Sequence, residues 1–119
     1  MKTVLVLVRD LFFEARIHDA TARLGARTVS LVPGQDELDS IRDSQPSLIL
    51  LTFNRTGDSW ERLAAAAREA GVPVVAFGSH MTVDAFKRAR ELGCAEVMAN
   101  SRLTAVLPDL LARYLSPTA

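Results

Sequence analysis

The chain has 119 residues, enough for one domain, and its 49% hydrophobic and 24% charged composition is that of a folded globular protein, not a disordered tail. Fourteen basic residues offset fourteen acidic ones, so no net field draws it to nucleic acid or an anionic membrane. One cysteine, Cys94, excludes an internal disulfide and a cysteine metal cluster, and no apolar run approaches the roughly 20 residues of a membrane span. In chain order, Met1-Lys2-Thr3 lacks the layout of a signal peptide and leads straight into a first strand, Thr3–Val8. The chain is therefore expected to be cytoplasmic. Phe13, Ile17, Ala20 and Leu24 then mark one stripe of a helix that Gly25 ends. Asp10 stands where that helix needs an N-cap, residual metal binding being its other reading. Phe12 is either the margin of a wide core stripe or an exposed aromatic anchor for a partner.

A second strand is expected over Thr28–Val32, followed by a short polar helix from about Gln35 to Ser44 with Leu38 and Ile41 to bury. The third strand, Ser47–Phe53, leads to a helix over Ser59–Ala70 whose inward residues are Leu63, Ala67 and Ala70, with Trp60 near its start. Val72–Phe77 is the fourth strand, Val83–Leu92 the helix after it, and Glu96–Ala99 the fifth strand. The last helical unit covers about Ser101 to Leu115. Ser101 reads as its cap, and Pro108 suggests a tight first turn with the helix proper from Pro108 onward. The central strands are almost unbroken Val, Ile and Leu, as expected when helices cover both faces of a parallel sheet. A β-α pattern repeated five times with right-handed crossovers predicts a three-layer α/β sandwich. In such sheets the functional crevice lies beyond the carboxyl ends of the strands. Those ends are Arg9-Asp10, Val32-Pro33-Gly34, Phe53-Asn54-Arg55, Gly78-Ser79-His80 and Asn100-Ser101-Arg102.

Three segments carry a wider resemblance: Pro46-Ser47-Leu48-Ile49-Leu50-Leu51 in the third strand, Val72-Pro73-Val74-Val75 in the fourth, and Gly93-Cys94-Ala95-Glu96 before the fifth. With them, residues 1–119 resemble a single receiver domain of bacterial response regulators. Asp10-Leu11-Phe12-Phe13 and Phe77-Gly78-Ser79-His80 look closest to a divergent group of stand-alone receiver-like proteins. The resemblance implies a flavodoxin-like sheet of order 2-1-3-4-5 and a place in two-component signal transduction. Receivers carry a phospho-accepting Asp after the third strand, an acidic pair for Mg²⁺ after the first, and a Lys after the fifth. A Thr or Ser after the fourth strand and an aromatic on the fifth form the switch.

Matched position by position, the acceptor falls on Thr52 and the acidic pair on Arg9 and Asp10. The lysine falls on Asn100, the switch hydroxyl on Gly78 with Ser79 next to it, and the aromatic on Val97. Asn54 keeps a position from which receivers offer only a backbone carbonyl. A threonine hydroxyl forms no acyl phosphate, and Asp10 beside a fixed guanidinium charge is a poor magnesium site. The expectation is a pseudo-receiver: not an enzyme, without metal or cofactor, and acting through contacts with an unidentified protein partner. Phe12, together with Leu103, Val106, Leu107, Leu110 and Tyr114 of the apolar-rich last helix, is the expected contact surface, and that helix would also serve a homodimer. The alternative is a sensor of a small anion or metabolite at the carboxyl edge of the sheet, an anion being held through Arg9, Arg55, Ser79, Ser101 and Arg102. Ser79-His80 is not read as a nucleophile and base, because adjacent residues rarely aim at each other and no orienting acid is evident. His18 reads as solvated, and Cys94 as a small buried apolar residue.

Overall fold

A computed structural model describes residues 2–8, 10–31, 35–53 and 59–116. The chain alternates β1 (Thr3–Leu7), α1 (Leu11–Arg23), β2 (Arg27–Ser30), α2 (Glu37–Ser44), β3 (Leu48–Thr52), α3 (Ser59–Ala70), β4 (Val74–Gly78), α4 (Val83–Glu91), β5 (Glu96–Ala99) and α5 (Asn100–Leu115). All strand pairs are parallel, in the order β2-β1-β3-β4-β5.

The unbroken apolar runs are explained by cover on both faces. Every residue of β1, β3 and β4 is buried. Successive residues point to opposite faces of a strand. Val4, Val6, Leu48, Leu50, Val75 and Phe77 therefore meet Ile17 of α1 and the leucines of α5. Leu5, Leu7, Ile49, Leu51, Val74 and Ala76 meet Ile41 of α2, Trp60 and Leu63 of α3, and Ala89 of α4. Each such large side chain contributes about 1.5–3 kcal/mol by leaving water. The edge strands β2 and β5 are only partly covered.

Strand and helix ends depart from expectation for local reasons. β4 starts at Val74 because Pro73 has no N–H for the ladder, although its carbonyl accepts from the Ile49 N–H at 3.0 Å. β2 starts one residue earlier than expected and ends at Ser30, with Leu31 outside the strand and Val32 outside the described residues. Ala70 is exposed and Ala64 takes its inward place, while Leu24, beyond the last turn of α1, is 46% exposed.

The largest correction concerns α5, which is one continuous helix from Asn100 with Pro108 inside it. Pro108 is exposed, and the carbonyl it leaves without a helical donor belongs to Thr104, also exposed, so water can serve that group. Ser101 is consequently not the cap but the second residue of the helix. Ala99 takes the cap position in an extended conformation, with no side-chain cap bond.

Candidate functional site

At the carboxyl edge, beyond β1, β3 and β4 and against the start of α5, lies a cleft of about 530 Å³. Val8, Phe13 and Phe77 form its apolar wall, and Asp10, Thr52, Asn100, Ser101 and Thr104 supply polar groups. The rings of Phe13 and Phe77 are stacked, with centroids 5.2 Å apart and planes 19° from parallel.

Asp10 has extended backbone angles and caps α1. Its Oδ1 accepts from the Phe12 N–H at 2.9 Å and from the Phe13 N–H at 3.4 Å. Such a cap stabilises a helix by ~1 kcal/mol, and it engages the one acidic side chain among the described cleft residues. Thr52 is the last residue of β3, 4% exposed and in register with Phe77. Gly78 ends β4, and Ser79 Oγ accepts from the Met81 N–H at 3.2 Å across the following turn. Ser79 does not border the cleft as described, and His80 beside it is exposed. Asn100 and Ser101 open α5, where the Thr104 hydroxyl donates to the Asn100 carbonyl at 3.0 Å. The site residues brought together are therefore Asp10, Thr52, Asn100 and Ser101.

Of the three arginines named for the anion-sensor reading, Arg102 alone lies among the described residues. Arg102 is exposed and outside the cleft wall, and Arg9, Asn54 and Arg55 lie outside the described residues. Among the described residues, no group of three His, Cys, Asp or Glu side chains is placed to hold a metal. Val97, half-buried, packs with the α2-α3-α4 layer instead of reaching the cleft.

The expected contact surface divides. Phe12 is 86% exposed, so it is not the margin of the core stripe. Leu103, Leu107 and Leu110 are corrected: all three are buried in the core with Leu111 and Leu115, because α5 packs against β4, β5 and α1 and buries a broad face. Val106 and Tyr114 are partly buried against the same core. The Tyr114 hydroxyl donates to Glu96 Oε2 at 2.6 Å, and Arg113 pairs with Glu96 at 3.3 Å. Burial, then the Glu96 carboxylate, push the Tyr114 hydroxyl up to about 12. Cys94 is half-buried, and desolvation pushes its thiol up to about 11.

Sequence reasoning passed over Leu11, Met81 and Val83, large apolar residues that are 79%, 77% and 70% exposed. The signal available was positional: Leu11 and Val83 are the first residues of α1 and α4, before either buried stripe begins. It also passed over Thr104 as a cleft residue, although Thr104 stands one helical turn after Asn100.

No protein-family model matches the chain, and no curated protein matches it by sequence. Solved structures do match. A CheY-like protein from Pseudomonas aeruginosa aligns at a TM-score of 0.77 and 15% identity, over 96% of this chain and 99% of that one. A response regulator receiver protein from Burkholderia phymatum aligns at 0.77 and 16%, over 100% and 98%. The receiver domain of a Pseudomonas aeruginosa sensor histidine kinase, with a magnesium ion coordinated in its active-site cleft, gives 0.77 and 16%, over 98% of each chain. The shared sheet order, five helices and near-complete coverage show that this chain has the CheY-like receiver fold of response regulators.

Proposed function

We propose that the chain is a receiver-like signalling domain that is not switched by aspartyl phosphorylation and acts through contacts with a protein partner. The observation that carries this reading is Thr52, a buried hydroxyl at the end of β3 where receivers place their phospho-accepting carboxylate. An aspartyl nucleophile needs a carboxylate to form the acyl phosphate and a divalent ion to offset the phosphate's charge. Thr52 supplies no carboxylate, and Asp10 is engaged as a helix cap. Phe12 and Leu11, exposed beside the cleft end of α1, offer the partner an aromatic and an aliphatic anchor.

Magnesium with beryllium fluoride mimics a phosphorylated aspartate and tests the reading directly. The amide resonances of Thr52, Ser79 and Asn100 are expected to stay in place through a titration with both. Saturable movement of these resonances that requires both reagents would overturn it.

A second reading, ligand sensing at the carboxyl edge, is favoured by the size of the cleft, which falls within the roughly 300–1,000 Å³ usual for small-molecule sites. Its small-anion form has the uncapped start of α5 in its favour. Thermal stabilisation by phosphate or sulfate, lost in Arg9→Ala or Arg102→Ala, would support that form.

A further inference from the structure

Phe77 is 2% exposed, whereas Phe13, stacked on it, is partly exposed, so Phe13 carries most of the aromatic surface that the cleft presents. Val8 extends this apolar wall, and α5 adds the Asn100 amide and the Thr104 hydroxyl, whose oxygen can still accept while it donates to the Asn100 carbonyl. Among the described lining residues Asp10 is the one ionisable side chain, and none is a lysine or arginine. An anion entering the cleft would meet the like charge of Asp10, which opposes the pull of the uncapped start of α5. A purely aliphatic ligand would strip water from the Asn100 and Thr104 side chains without replacing those hydrogen bonds. A flat ring meets neither difficulty: its face stacks on Phe13 and its polar edge reaches α5.

We propose that the cleft is a binding site for an uncharged planar heterocycle with a hydrogen-bonding edge, of the size and chemistry of a purine base or an indole. The proposal rests on the reading that the cleft is not a phosphoryl site, and it selects the uncharged over the anionic form of ligand sensing.

The test is a protein-observed NMR titration of the full chain with adenine and indole as probes, benzoate and phosphate as anions, and cyclohexanol as the aliphatic control. Adenine or indole is expected to move the Phe13, Thr52 and Asn100 amide resonances saturably, with Kd of about 1 mM or tighter. Phe13→Ala is expected to weaken that binding at least about tenfold. Thr104→Phe, a change at an exposed helical position that narrows the cleft, is expected to abolish it and keeps the test decisive should Phe13→Ala fail to fold. The proposal is overturned if neither ring moves these resonances at about 5 mM, if benzoate or phosphate binds more tightly than both rings, or if ring binding survives Thr104→Phe. Failure here leaves the phosphorylation reading standing, since that depends on the response to magnesium and beryllium fluoride and not on ring binding.

Discussion

The two ends of the sheet solve different problems. At the amino edge, α1, α2, α3 and α4 each return to the next strand through a left-handed residue: Gly25, Gln45, Gly71 and Gly93, with φ of 71°, 47°, 74° and 86°. At the carboxyl edge, Val8 just past β1, Thr52 at the end of β3 and Phe77 near the end of β4 reach a cleft with an aromatic wall. The amino edge asks only for backbone geometry, which glycine meets at three of these turns and Gln45 at the fourth. The carboxyl edge of a receiver asks for particular carboxylates and a lysine, and under the proposed function Thr52 and Asn100 stand at two of those positions. On that reading a fold held by buried strands and turn geometry keeps its shape while the chemistry at one end is replaced.

The strands shared by both ends set the largest effect. Leu50 lies fully buried in the middle of β3, and Leu50→Ala is expected to cost about 2–5 kcal/mol in urea unfolding. A loss below ~1 kcal/mol would mean that the sheet is not the common support of the two ends.

Gly71→Ala probes the amino edge alone. No atom lies within 4 Å of the added Cβ, so the cost is that of a left-handed backbone, about 1–2 kcal/mol. At the carboxyl edge, Asp10→Ala is expected to cost ~1 kcal/mol and Asp10→Asn much less, because asparagine still caps a helix. Equal losses from the two Asp10 variants would show that charge, and not capping, is what the position supplies.

The smallest effect is a pH dependence on the α4–β5 side. Folding raises the Cys94 thiol from 9.0 to about 11, so the folded state favours the protonated form. The associated stability is fully present below pH 9.0 and declines as pH rises through about 11. Denaturation midpoints measured across that window should fall less steeply in Cys94→Ala than in the parent. Parallel slopes would place the thiol in water.

The fold was largely legible in the sequence because strands buried on both faces write themselves as unbroken apolar runs, as in Leu48 to Leu51. α5 was less legible. Its apolar surplus reads equally as a broad core face or as an interface, and only the packing of the helix against α1 and the sheet assigns Leu103, Leu107 and Leu110 to the core. Pro108 misled for a related reason: its effect depends on whether the carbonyl one turn earlier meets water or protein, which is a tertiary fact. The cleft was half legible. Strand ends placed Asp10, Thr52 and Asn100 together, because topology alone brings them to one edge. The part of Phe13 was hidden, since a residue in the first turn of a helix can belong to the core stripe and to the mouth of a crevice at once. Phe12, its neighbour, turns out to solvent.

The most direct measurement of the central claim is the intact mass of the protein after incubation with magnesium and acetyl phosphate, a small-molecule phosphoryl donor. The protein is expected to keep its unmodified mass while a competent receiver treated in parallel gains a phosphoryl group. A stoichiometric adduct removed by hydroxylamine, the mark of an acyl phosphate, would contradict the account.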